Sequence, residues 1–413
     1  MGGYVEVGVG VLMLEFPVET VTEVLEDTDR CERRRRSLPA HLMVYFTLAM
    51  WLYVGVGYVQ VLDRVLLGMQ WARGEPGRWT VAGDAAITRA RQKLGSEPLR
   101  QLFYRSVADA EPDRRSPGEW RGRRVLAFDR MELAVANNPE NRARYGNPSG
   151  SAGIRVRLAV LARCGDKRLA AAQLETGAGL DAGTGTERTS LVAELGSGVL
   201  LLGGDRLSSE DSADRKLGDR DWFAVAAAAG AALVWEVRST EELPRRYTLA
   251  DGSYLSEFGE SRVVVRVVES AGRSGRGDHV PPRVVTTLLD PTAAPAAELV
   301  RLCAYRWTSD VMLRTLNVPS DSSPVLRSRH PENIEQEIWA MLCAYQALSR
   351  LITPTAWPTA AGTEQSVVQR SVSARQGPQA SNVPASWGLG WPSGRFEHSF
   401  KSGAHSTRSA QLN

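Results

Sequence analysis

Lysine is almost missing from this chain: of its 50 cationic side chains, only Lys93, Lys167, Lys216 and Lys401 are ammonium groups. The positive charge is guanidinium, a planar fork of donors that suits carboxylate and phosphate, although a GC-rich genome gives the same bias with no function behind it. An excess of charge is missing too. The 47 acids leave a net charge of +3, which permits nucleic-acid binding without demanding it. Cysteine is scarce and dispersed, at Cys31, Cys164, Cys303 and Cys343, and the five histidines are scattered. That spacing argues against a zinc site or disulfide framework and suits a reducing cytoplasm. Only one long apolar run occurs, Leu42–Leu62, just after Arg33–Arg36. It carries Tyr45, Tyr53, Tyr58, two glycines and Gln60, and Met1–Glu15 lacks a basic start and a cleavage pattern. Buried helices of a globular domain, with no membrane span, are therefore expected.

What is present suffices for large cores. The 413 residues are 43% apolar, enough for two or three domains. Residues 17–110 read as helical. The run from Leu38 to Leu67 breaks near Gly55 and Gly57, and DAAITRARQKL over Asp84–Leu94 starts on Asp84 as a plausible N-cap and stops at Gly95. Its Arg89 and Arg91 suit a DNA contact or a solvated helix face. Residues 111–123 have linker composition, and strands follow: Val125–Asp129, Gly153–Arg163, Lys167–Leu174, Gly198–Gly204 and Ala232–Val237, with helices over Thr189–Leu195 and Trp222–Gly230. Three further β-type runs lie in 240–290. Ala294–Leu316 and Ile334–Leu351 read as helices, and residues 354–413, unpatterned and rich in Ser, Gly, Gln, Ala and Pro, as a disordered tail.

Asp129 and Asp205 each end an apolar strand, where α/β sheets gather catalytic groups. Carboxylates on neighbouring strands can share a hard divalent cation, and two such ions serve phosphoryl transfer. An Asp at a strand end is also a common turn residue or cap.

The wording of several segments narrows the choice. LAFDRMELAVANNPENRARYG (Leu126–Gly146), LLLGGDR (Leu200–Arg206), VWEVRS (Val234–Ser239), RWTSDVMLRTLN (Arg306–Asn317) and VLRSRHPENIEQEIWAML (Val325–Leu342) occur in this order. The series resembles the insertion-sequence-four family of bacterial DDE transposases, and RRRRSLPAHLMVYFTLAM with AITRARQKLGSEPLRQLF resembles the N-terminal domain of actinobacterial members. The resemblance implies an α/β fold: an RNase H-like mixed-sheet core over 124–239 and 291–352, interrupted by a β-rich insertion at 240–290 and preceded by an α-helical DNA-binding domain over 1–115. It implies metal-dependent cleavage and strand transfer at element ends. Asp129, Asp205 and Asp310 would hold two Mg²⁺ or Mn²⁺ ions, and the partners would be double-stranded DNA (terminal inverted repeats and target) and a second copy of the chain, in the cytoplasm at the nucleoid.

The sequence departs from the family pattern on the late helix, where Tyr, Arg, Glu and Lys are expected in register and Cys303, Arg306, Asp310 and Asn317 stand. Asp310 is one methylene short, a misplacement that can cost about 10²-fold, and Asn317 brings no cation. Arg130 replaces a glycine, and Asp219 rivals Asp205 as second ligand. Arg306, Asn317 and Arg238 are expected to contact DNA, the two arginines being otherwise ordinary ion-pairing or solvated residues. Trp235 and Trp307 fit the core better than base stacking. Glu187 and Glu337 read as structural or solvent-facing. A relic that only binds DNA is the alternative to a working transposase.

Overall fold

The computed structural model describes residues 3–31, 38–73, 82–108, 118–146, 153–175, 188–204, 222–238, 241–270, 283–304, 306–316, 318 and 326–351. The expected 354–413 tail, Arg33–Arg36, Glu187, Asp205, Asp219 and Asn317 lie outside these residues.

Six helices come first: α1 (Gly3–Glu15), α2 (Val18–Asp27), α3 (Ala40–Leu52), α4 (Tyr58–Arg73), α5 (Asp84–Leu94) and α6 (Glu97–Ala108). The apolar run splits where expected, with Gly55 at φ +83° between α3 and α4. Every residue of α3 from Leu42 to Trp51 is buried, which accounts for an apolarity that looked like a membrane span. No helix among the described residues is long and apolar enough to cross a membrane. Gly95 at φ +73° ends α5, but its N-cap is Gly83; Asp84 instead opens the first turn, where a carboxylate suits the helix dipole.

A ten-stranded sheet follows. Its strands are β1 (Glu119–Trp120), β2 (Arg123–Ala134), β3 (Arg155–Arg163), β4 (Leu169–Glu175), β5 (Val199–Gly204), β6 (Ala232–Glu236), β7 (Tyr247–Thr248), β8 (Tyr254–Phe258), β9 (Val263–Glu269) and β10 (Arg283–Thr286). They lie in the order β4-β3-β2-β5-β6-β10-β9-β8-β7, with β1 paired to β2. The β2–β3–β4 stretch is antiparallel, β5 and β6 run parallel to β2, and β10 returns antiparallel to β6. The 240–290 strands thus extend the same sheet. Arg266, fully buried, holds them to the chain beyond by donating to Ser253 Oγ (2.7 Å), the Ala294 carbonyl (2.6 Å) and Asp251.

Helices cover both faces. Val125, Ala127, Leu200, Leu202, Ala232 and Val234 face the six N-terminal helices together with α10 (Ala296–Ala304), α11 (Ser309–Thr315) and α12 (Pro331–Ser349). The alternate residues Leu126, Phe128, Leu201, Leu233 and Trp235 face α8 (Arg188–Ala193) and α9 (222–228). That period of two is the one a sheet buried on both faces requires. The short α7 (Pro139–Tyr145) follows β2 and is capped by Asn138, which accepts from Asn141 N (2.8 Å).

Nearly all of α12 is buried, and it packs against α1, α3, α5 and α6. This arrangement corrects one expectation: Arg91 is 2% exposed and belongs to this contact. It donates to Gln336 Oε1 (2.9 Å), Tyr58 OH (2.9 Å) and Ser328 Oγ (3.1 Å). A guanidinium committed on these sides is unavailable to DNA. It faces inward because it lies one helical turn from Ile87 and from Leu94, which are both buried.

Replacing Arg91 by Met should therefore cost about 3–5 kcal/mol, because it leaves buried polar partners unanswered, whereas Arg89→Ala on the exposed side of α5 should fall within about 0.5 kcal/mol of the parent. Urea denaturation of the two variants measures the difference.

Candidate functional site

β2 is longer than the expected Val125–Asp129 run. Its parallel pairing with β5 ends at Ala127–Leu202, while its antiparallel pairing with β3 continues to Ala134. Asp129 therefore sits inside a strand, yet just past the point where its β5 neighbour stops pairing. Continued by two residues, the register sets Asp129 opposite Gly204, and Gly204 is paired with Glu236 on β6. The three positions form one row at the carboxyl edge of three parallel strands. They share the face that carries Ala127, Leu202 and Val234. Neighbouring strands are about 4.8 Å apart, so the Asp129 and Glu236 backbones stand roughly 10 Å apart with a residue lacking a side chain between them.

That gap is enforced locally. A Cβ on Gly204 would come within 2.6 Å of the Glu236 backbone and Cβ, and Gly204 has φ +140°. A Cβ on Gly203 would meet the Trp235 ring at 2.1 Å. The Gly-Gly pair lets β6 and its indole lie tight against the end of β5. Trp235 is 2% exposed and Trp307 fully buried; both are core residues, and Trp307 donates to Tyr345 OH (2.9 Å).

Above this row the chain breaks. Ala294–Leu316 was expected as one helix, but α10 ends at Ala304 and α11 begins at Ser309. Cys303, Arg306 and Asp310 therefore do not share one helical register. The break has a visible cause. Thr308, the N-cap of α11, makes no side-chain cap bond, and the Asp129 carboxylate accepts the Ser309 N–H instead, at 2.7 Å. A carboxylate at a helix start satisfies an otherwise orphaned donor and suits the dipole. The bond ties β2 to α11 and puts Asp310, exposed in the first turn of α11, next in the chain to the residue that Asp129 holds. Two of the three predicted carboxylates are thereby brought to one place; the third, Asp205, follows directly on Gly204.

Arg306 lies in the break and is 8% exposed. Its Nη1 donates to the Gly204 carbonyl (3.1 Å), while its Nη2 is buried with no hydrogen-bond partner among the described residues. Cys303 is buried beside it. Burial pushes its thiol up to about 12, with Arg306 pulling the other way and Glu236 adding to the rise. Glu236 itself is 7% exposed. It was not among the predicted site residues, although a carboxylate set inside the apolar run VWEV was a signal that could have found it. Arg238, past the end of β6, is half-buried. Arg89 is exposed and lines, with Arg30 and Lys93, a cavity of about 400 Å³ on the N-terminal helices. Glu337 is buried and accepts from Arg327 N, Ser328 N and Ser328 Oγ, a structural role.

The donor set at the row suits a hard cation. Asp129 is half-buried with no cationic partner among the described residues, and oxygen is the donor such ions take. No group of three potential ligands occurs among the described residues.

Residues 6–104 match the family model for the insertion element 4 transposase N-terminal region. The chain is 24% identical over 395 residues to the transposase InsG for insertion sequence element IS4 of Escherichia coli K12, covering 89% of this chain and 83% of that one. A shorter match, 29% identical over 136 residues, reaches 33% of this chain and 42% of InsZ of the same strain. A piggyBac transposase synaptic complex with hairpin DNA aligns over 92% of this chain and 87% of its own, at 10% identity and a TM-score of 0.36, too distant for a fold to be inferred from it.

The Asp129–Ser309 bond can be weighed by a double-mutant cycle. Pro is tolerated at a first helical position, so Ser309→Pro removes the donor and keeps α11. With Asp129→Ala it should show a coupling of about 1.5–3 kcal/mol, the range of a charge-assisted hydrogen bond; purely additive effects in urea denaturation would exclude the bond. Thiol titration gives a second check. Exposed Cys31 should react at pH 8, whereas buried Cys164, Cys303 and Cys343 should wait for denaturant, since burial shields all three and also raises the Cys303 and Cys343 thiols.

Proposed function

The chain belongs to the insertion-sequence-four family of transposases, and on that footing we propose that it cleaves and joins DNA at the ends of its element by divalent-metal phosphoryl transfer. The observation that carries this is the 2.7 Å bond from Ser309 N–H to Asp129, which brings a carboxylate of the sheet and the helix bearing Asp310 together at the edge where β5 runs out towards Asp205. The strand order supports the same reading. With β2 to β4 antiparallel and β5 and β6 parallel to β2, we take β2–β6 as an RNase H-like core, with β7–β10 inserted between β6 and α10.

Asp129, Asp205 and Asp310 would hold two Mg²⁺ or Mn²⁺ ions. Such ions, when bound, stabilise attacking and leaving oxygens and are hard enough to prefer carboxylate ligands. The chain's own residues do the positioning. The Ser309 N–H fixes the Asp129 carboxylate. The start of α11 sets Asp310, which is exposed, next in the chain to the residue that Asp129 holds. Arg306, braced on the Gly204 carbonyl, keeps a guanidinium donor in reach of a phosphate oxygen. Arg238 and Arg89 are further candidates for backbone contacts on the duplex, and the two ends of an element call for a homodimer on DNA.

Incubating the protein with duplexes that carry the inverted repeats bordering its coding sequence, in Mn²⁺, should give nicks at the repeat ends. Asp129→Ala should lower the rate by at least about 10²-fold, on the scale of a lost or displaced catalytic group. Asp310→Glu, which restores the missing methylene, should raise it. A silent parent made active by Asp310→Glu would identify a DNA-binding relic disabled at its third carboxylate, and silence in both would overturn the proposed chemistry.

A further inference from the structure

Helix α2 ends in a left-handed turn built on a residue that is not glycine. Thr28 is its C-cap and Asp29 has φ +52°. Asp29 N donates to the Glu26 carbonyl (3.0 Å) and Arg30 N to the Leu25 carbonyl (2.8 Å). These two bonds close the helix through an αL residue, a place that glycine fills most often and that Asp tolerates. The turn carries Arg30 across to α5, where its Nη1 donates to the Lys93 carbonyl (3.1 Å). Between this turn, α3 and α5 lies the cavity of about 400 Å³. The hollow has a simple cause. Ala86 and Ala90, one turn apart on α5, line it together with Ala40 of α3, and side chains that short leave space between packed helices.

The rim of the cavity is cationic. Arg89 and Lys93 line it from one stripe of α5, four residues apart and both exposed, and Arg30 joins them from the turn. Like charges at that spacing repel each other. Among the described residues none of the three is in an ion pair. Arg100, Arg121, Arg245 and Arg262, exposed as well, are each answered by a glutamate. The described lining holds one acid, Asp29, against three cations, so the rim keeps a positive excess. Proximity to the end of α5 favours Lys93 and Arg30 through the helix dipole, but Arg89 sits mid-helix, where that effect has faded. An anion is the partner that would relieve the repulsion.

We propose that this cavity is a phosphate-binding notch by which the N-terminal helices hold the sugar–phosphate backbone of duplex DNA without reading its bases. Arg30, Arg89 and Lys93 donate to phosphate oxygens, and the short aliphatic floor receives the carbons of the adjoining sugar. The notch shares no lining residue with the edge that carries Asp129. It rests on the proposed DNA-processing function and gives that function a second, sequence-independent hold on the duplex.

The test reads binding without turnover. Fluorescence anisotropy in EDTA follows two fluorescein-labelled duplexes, one with the bordering repeats and one with the same bases scrambled, across a series of salt concentrations. A lost phosphate contact lowers the slope of log affinity against log salt by about 0.9, which is about eightfold in affinity at 0.1 M salt. Arg89→Gln and Lys93→Gln should each show that loss, equally on both duplexes and with an unchanged urea midpoint, and the double variant should show about twice the change in slope. Arg30→Gln, which also gives up the bond to Lys93, should lose at least as much. Arg100→Gln, which removes the same charge from a pair with Glu97, should keep the slope of the parent. A folded double variant with the parent's slope overturns the proposal, and so does an equal loss in Arg100→Gln. A loss confined to the repeat duplex overturns it in favour of base reading. A double variant that binds both duplexes as the parent does but no longer self-associates in sedimentation overturns it in favour of an acidic surface on a second copy. A parent that binds neither duplex at any salt overturns instead the DNA reading on which the notch rests.

Discussion

A helix buried on all sides must find a partner for each polar group that it carries, because an unanswered amide or carboxylate in the interior costs more than a hydrogen bond returns. α12 is such a helix, and its polar side chains dictate how the rest is assembled. Gln336 exchanges bonds with α5, accepting from Arg91 Nε and donating to the Arg91 and Gly95 carbonyls. Gln346 closes a two-way pair with the backbone of Leu169 at the start of β4. Glu337 gathers the Arg327–Ser328 turn, and its own carbonyl accepts the Trp51 indole N–H from α3. Each of these bonds has a single geometry, so the N-terminal helices and the sheet are held in one register against the same rod. A carboxyl edge assembled from β2, β5 and α11 needs that rigidity, since its groups come from parts of the chain 180 residues apart.

Much of this was legible from the residues alone. Strands buried on both faces announce themselves as apolar runs, and β3, β5 and β6 lie where those runs lie. Gly55 and Gly95 marked helix ends because a positive φ suits glycine. Three features were not legible, each for a physical reason. β8 lies outside the β-type runs expected in 240–290 because its burial alternates while its chemistry does not: the buried face carries Ser256 and the outer face Leu255, so YLSEF shows no apolar period of two. Arg91 was taken for a surface cation because a helical period tells which residues share a face but not which faces are covered, and its covering helix lies about 245 residues downstream. The break between α10 and α11 was invisible because its cause, the Asp129 carboxylate taking the Ser309 N–H, is a contact between residues 180 positions apart.

That break changes what the family signature means here. A spacing of four from Arg306 to Asp310 would, on one helix, put both side chains on the same stripe. In this chain Arg306 lies in the loop and points to β5, while Asp310 stands in the first turn of a separate helix. Their relation is set by two anchors, the Gly204 carbonyl for one and the Asp129 carboxylate for the other, rather than by helical geometry. The one-methylene deficit of Asp310 must therefore be judged against where α11 is docked and not against an ideal helix.

The same anchors link the electrostatics of the edge to its architecture. Asp129 is the acceptor that starts α11, so any change at its carboxylate also bears on the position of Asp310. Gly204 is both the gap between two carboxylates and the carbonyl that braces Arg306, so a side chain at that position would disturb charge and geometry together. Function at such an edge does not reside in a list of acids. It follows from how few independent supports the acids share, and here two backbone groups, the amide of Ser309 and the carbonyl of Gly204, carry most of the arrangement.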